Sequence, residues 1–204
     1  MVANAPDWAD LLGRVASPSY RSASGVFVFR HVRWEVDPNP EEGSSRFWYI
    51  EPDRWRVEDR DGPWHVQNPE RQWIRDPEGR MQRVAADPNR FWGDSHPRYL
   101  LGIPEERAER FTAPREFSRL LSGPVEVRVA DRLCWEVVLG PPPRKPYPMC
   151  VAIDDATGAV LRAQVCDYLM FEEMRQFTPD PPDLHDGLFE WDGEESFDWH
   201  ERSR

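Results

Sequence analysis

The sequence has few of the features that announce a mechanism. Cysteine is scarce: Cys134, Cys150 and Cys166 are an odd number without a CxxC pair. That excludes a disulfide framework and a zinc knuckle, and they read as small buried strand residues. Lysine is nearly missing. Lys145 is the only one among 26 basic residues, a bias of coding and not of chemistry. No apolar run approaches the roughly 18 residues of a membrane helix, so the chain is not membrane-spanning by helices. The first 15 residues, MVANAPDWADLLGRV, show no basic n-region and no apolar h-region. A cytoplasmic location is the expectation.

Positive charge is also in deficit. The net charge is −11 over 204 residues, with 26 Lys+Arg against 37 Asp+Glu. A nucleic-acid binder needs clustered positive charge facing phosphate, so that class is excluded. The acidity is concentrated late: Glu172–Arg204 holds 11 acidic and three basic residues. The reading is one domain over 1–193 and an acidic tail over 194–204.

Catalytic signatures are lacking too. His31, His65, His96, His185 and His200 are scattered with no HExxH or HxH spacing, so no metal site is expected. There is no GxSxG elbow, P-loop or GxGxxG. The chain reads as non-enzymatic and without a cofactor.

What is present is aromatic and turn-rich: ten Trp, ten Phe and 21 Pro. Residues 7–16 space Trp8, Leu11, Leu12 and Val15 as an amphipathic helix capped by Asp7. Residues 26–36 read as a strand with Val26, Val28, Val32, Trp34 and Val36 on one face. Residues 46–84 read as strands separated by EPDR, RDGP, NPER and DPEG. Short turns join antiparallel strands, so this is a meander. Turn centres placed at 52/53, 61/62 and 69/70 put Trp48, Ile50, Trp55, Val57, Trp64, Val66 and Trp73 on one face. The opposite face then takes Arg54, Arg56, Glu58, His65, Gln67 and Gln72.

PRYLLG and PREFSRLLSG (97–102 and 114–123) read as short helices that cover the apolar face. PVEVRVA, LCWEVVL, MCVAID and AVLRAQVCDYLM are four further strands. DR (131–132) and DDATG (154–158) are hairpin turns, with Gly158 taking φ > 0. GPPPRKPYP (140–148) is too Pro-rich for a sheet.

Two uses of these residues stay open. The Trp-rich face is a packed core or the wall of a cavity for an apolar ligand. Arg54 and Arg56, two apart on one strand, are a solvated pair or hold an anionic head group. In the tail, Phe189, Trp191, Phe197 and Trp199 are candidates for contact with a protein partner, or pack back on the sheet.

Four stretches resemble the LolA/LolB-like superfamily, which includes periplasmic lipoprotein carriers and the N-terminal domains of RseB-type regulators. They are YIEPDRWRVED (49–59), VRVADRLCWEVVL (127–139), AIDDATGAVLRAQV (152–165) and FTPDPPDLHDGLFEWDG (177–193). In the second, Asp131 replaces the usual Gly. The resemblance implies an α+β domain: a strongly curved antiparallel sheet, an unclosed half-barrel, with short helices on its concave face. It implies a non-enzymatic binder of a lipid-like or other apolar ligand, or a regulatory module of the same fold that binds a protein.

Overall fold

The computed structural model describes residues 5–33, 37–85, 96–102, 111, 117, 119–142, 147–165, 169–194 and 196–197. Its strands are β1 (Ser22–Arg33), β2 (Asp37–Ile50), β3 (Arg54–Asp59), β4 (Gly62–Gln67), β5 (Arg71–Arg75) and β6 (Met81–Ala85), followed by β7 (Arg119–Val129), β8 (Arg132–Gly140), β9 (Met149–Asp154), β10 (Val160–Val165), β11 (Met170–Pro179) and β12 (Ser196–Phe197). All twelve form one open sheet in the order β12-β6-β5-β4-β3-β2-β1-β11-β10-β9-β8-β7. Neighbours are antiparallel except β12 on β6, which is parallel. The sheet is the expected unclosed half-barrel. β1 sits at its middle, between β2 and β11.

Helix α1 (Trp8–Ala16) begins at Asp7, whose carboxylate accepts from the Asp10 N–H at 2.8 Å. That satisfies one of the helix's orphan donors. Its Leu11 and Val15 are buried. Helix α2 (Arg98–Leu101) buries Leu100 and Leu101. Both helices pack with Phe27, Phe47, Tyr49, Trp55, Val57, Val137 and Met174 in one core on the concave side.

The DDATG hairpin seats α1. Arg14 donates to the Asp155 carboxylate at 2.8 Å, and the Trp135 indole N–H to the same oxygen at 2.7 Å. Gly158 has φ +76°, and a Cβ there would stand 2.3 Å from the Arg14 carbonyl oxygen. Glycine is therefore required twice, for the turn and for the helix that rests on it. Asp154, buried in this turn, accepts two bonds from Arg132 at 2.8 and 2.9 Å and one from the Thr157 N–H at 2.9 Å. The β7–β8 turn holds Ala130 and Asp131 at φ +51° and +59°, the left-handed pair of a type I′ hairpin.

Three expectations need correction. The register of the meander differs by one residue at its first two turns. Tyr49 pairs with Trp55 and Phe47 with Val57, and Val57 pairs with His65. Only the third turn keeps the expected pairing, Val66 with Trp73. Trp55 and Val57 are thus on the concave side, whereas Trp48, Ile50, Val66 and Trp73 point to the other. His65, Gln67 and Gln72, expected on a wet face, are buried. Second, Arg119–Ser122 belong to strand β7 and not to a helix. Third, the run 159–170 divides between β10 and β11, and on β1 it is Phe27, not Val26 or Val28, that enters the core.

Candidate functional site

The convex face is occupied by the chain itself. After β11, residues 180–194 cross it, including a 3₁₀ turn at Asp186–Phe189. Arg54 faces Asp186 at 3.4 Å. Arg56 donates to the Leu188 carbonyl at 3.1 Å and to Glu58 at 2.7 Å. Asn68 donates to Glu190 at 2.9 Å. Phe189 is fully buried, and Trp191 packs on a second cluster of Val66, Trp73 and Met81. The two arginines hold this strap. Ser196–Phe197, read from the sequence as tail, pair with β6 at the sheet edge. Trp199 lies outside the described residues.

On the concave side, the seven expected wall residues are not one wall. Trp55 and Val57 are buried in the core, and Trp64 reaches an open volume. A bulge between Val57 and Glu58 turns Trp64 toward the concave core. There it meets a cleft of about 650 Å³ at the end of the sheet, lined by Phe29, Glu42, Gly43, Ser44, Ser45, Asp59, Arg60, Asp61, Trp64 and Arg75. Phe29 and Trp64 are its apolar surfaces. Its rim is charged, and the Asp59–Arg75 ion pair closes one side. The Trp64 indole N–H donates to Ser45 Oγ at 3.4 Å. Gly43 lies opposite Phe29 across β1–β2, and a Cβ on it would be 2.8 Å from that ring. The missing side chain lets the Phe29 ring lie over the neighbouring strand. A second cleft of about 570 Å³ shares Phe29 and residues 42–44 and adds Val28, Arg30, Phe171 and Arg175.

Behind Trp64 lies a buried polar chain. His65 Nδ1 and His96 Nε2 are 2.7 Å apart, and the Gln72 side-chain amide is 3.0 Å from His65 Nε2. The Arg98 backbone N–H donates to His96 Nδ1 at 3.0 Å. That donor fixes the tautomers. His96 must carry its proton on Nε2 and donate to His65 Nδ1. His65 then donates from Nε2, so Gln72 must offer its carbonyl oxygen. The rings of His96 and His65 meet edge-on at 4.8 Å, and Trp55 and Trp64 flank His96 at 4.9 and 5.5 Å. Burial, then the Arg98 charge, lowers the His65 pKa to about 3. Burial, then His65 and Arg98, puts His96 well below its ordinary value. Both imidazoles are neutral, so this chain positions Trp64 and offers no general acid or base near neutral pH.

A second buried pair sits beside the cleft. His31 Nε2 is 3.2 Å from Glu172 Oε1, on β1 and β11. The Phe29 ring is 5.5 Å from that of His31, and Glu172 pairs with Phe29 across the strands. Sequence reasoning missed these histidines because 31 positions separate His65 from His96, and no spacing rule links them.

Cys134 is not a nucleophile near neutral pH. Burial, then the Asp154 carboxylate, pushes the Cys134 thiol up to about 12. Cys150 is half-buried on β9, and Cys166 lies outside the described residues. Among the described residues no three His, Cys, Asp or Glu side chains gather as a metal site, and no helix is long and apolar enough to cross a membrane.

No family model and no curated protein matches the sequence. Solved structures do. MucB in complex with MucA(peri) is similar with a TM-score of 0.51 at 20% identity, over 89% of this chain and 59% of that one. MucB alone gives 0.50 at 19%, over 88% and 61%. The chain thus spans about three fifths of the length of these MucB chains. A putative outer membrane lipoprotein-sorting protein domain from Vibrio parahaemolyticus gives 0.37 at 11%, over 89% and 93%. At the level of fold, the chain is similar to MucB: one open, curved antiparallel sheet with short helices.

Proposed function

We propose that this chain is a non-enzymatic binding domain that takes an amphiphile into the cleft at the end of β1–β4. The observation that carries the reading is the cleft itself. Its volume, about 650 Å³, lies within the roughly 300–1,000 Å³ of small-molecule sites. Apolar rings line its interior and charges ring its mouth, the polarity an amphiphile matches. Among the described residues, α1, α2 and the aromatic core pack together on the concave side, and the cleft opens at the end of the strands. A 12-carbon chain fully buried there would contribute about 10 kcal/mol gross, at ~0.8 per CH₂.

Calorimetric titration with monododecanoylglycerol below its aggregation concentration tests this. Ser44 is exposed and lines both clefts. Ser44→Trp fills the shared mouth and is expected to weaken binding at least tenfold. Wild-type protein that takes up no amphiphile sinks the reading.

A protein partner is the second reading. Edge strand β7 exposes Leu120, Leu121 and Val125, at 36, 46 and 60% of their surface. Such an edge accepts an added strand. The similar MucB is described in complex with MucA(peri). A partner whose capture is lost with Leu121→Lys, but kept with Ser44→Trp, would favour this reading over the first.

A further inference from the structure

We infer that the buried His31–Glu172 pair is the polar anchor of the cleft, and that it selects an amphiphile with a hydroxylated, uncharged head. This inference rests on the cleft reading above and names its ligand class. The pair is nearly sealed: His31 is 6% and Glu172 1% exposed. It is also unfinished. His31 Nδ1 and Nε2 and Glu172 Oε2 all lack a hydrogen-bond partner in the structure. A buried polar atom left unpaired costs about 1–3 kcal/mol, and more when charged. Native proteins keep few such atoms, and each calls for a partner.

The position gives the use. Glu172, Phe29 and Gly43 are consecutive partners across β11, β1 and β2, so they form one row on the concave side. His31 is two residues along the same face of β1. Phe29 lines the cleft, and its ring lies against that of His31. Phe29 therefore stands between the open volume and the pair. The ring already lies over Gly43 on β2, so a turn of the ring away from His31 is what would connect the two.

The chemistry gives the class. Glu172 Oε2 can only accept while ionised, so it wants a donor. His31 Nδ1 accepts in the neutral ring that donates from Nε2, and donates in the cation. A hydroxyl serves both atoms in either state, and a diol serves both at once. A carboxylate or phosphate head cannot donate to Glu172 and is repelled by it. A bare ammonium head can only donate, so it cannot accept from a protonated His31 ring.

The test compares monododecanoylglycerol with dodecanoate, by competition with bound Nile red, at pH 7.5 in 0.3 M salt. Wild type is expected to bind the glycerol ester at least tenfold more tightly. In Glu172→Gln that ratio is expected to fall below threefold, and Ser44→Trp should weaken both probes together. Equal affinities in wild type, with both still sensitive to Ser44→Trp, would overturn the anchor and leave the cleft standing. So would a ratio unchanged in Glu172→Gln. If neither probe binds wild type, the cleft reading falls and this inference with it. The wild-type ratio is read on unmodified protein, so a variant that fails to fold does not remove the test.

Discussion

Acid should destabilise this domain well before its carboxylates titrate. His65 and His96 are buried and neutral in the fold, with pKa values lowered from 6.5. In the unfolded chain they regain about 6.5. Below that pH the unfolded state binds more protons than the native state, so stability falls as pH falls. The size follows from the unfolded value, because burial holds both native rings neutral through this window. At pH 5 each imidazole favours unfolding by RT ln(1 + 10^1.5), about 2 kcal/mol, and the pair by about 4. That is a large part of an ordinary domain's ~5–15 kcal/mol. Asp155 is held below its ordinary value by the Trp135 and Arg14 hydrogen bonds, against burial. Its stabilisation is present above the unfolded pKa of 3.8 and is lost only as pH falls below it, outside the window. Urea unfolding at pH 7.5 and 5.0, followed by far-UV circular dichroism, reads the difference. Wild type should lose about 4 kcal/mol, and His65→Gln with His96→Gln should lose less than about 1. Equal wild-type stability at both pH values, or an unchanged loss in the double variant, would refute the reasoning.

Three other outcomes are expected. Gly158→Ala drives a Cβ onto the Arg14 carbonyl and strains φ +76°, so it should cost at least about 2 kcal/mol by thermal unfolding. Asp131→Gly relieves a residue at φ +59° and should stabilise by about 0.5–1 kcal/mol. Trp191→Ala removes the ring that holds the strap on Val66, Trp73 and Met81. Cleavage by dilute protease within 181–194 should quicken at least fivefold while the core spectrum persists.

The turns were the legible part of the fold. EPDR, RDGP, NPER and DPEG each separate two strands, and DDATG places Gly158 at positive φ, because Pro, Gly and Asp constrain the backbone locally. The register was less legible. Phe47, Trp48, Tyr49 and Ile50 are apolar at every position, so alternation cannot say which pair faces in. The choice fell to the loop after Ile50. It has three residues, 51–53, flanked by the Ile50–Arg54 pair, where a centre at 52/53 assumes an even number. The strap was hidden for a related reason: it makes both faces of the meander apolar, so neither reads as wet. The cleft depends on the bulge at Val57/Glu58, and the buried polar groups near it, His31, Glu172 and His96, are gathered by the topology from distant parts of the chain.

The central claim is that the end of the concave face receives an amphiphile. Amide and indole ¹H–¹⁵N spectra of the labelled protein, titrated with monododecanoylglycerol, test it directly. Saturable shifts are expected at Gly43, Ser44, Ser45, Asp61 and the Trp64 indole, with β7 unmoved. Spectra that do not change, or changes confined to Leu120–Val125, would contradict it.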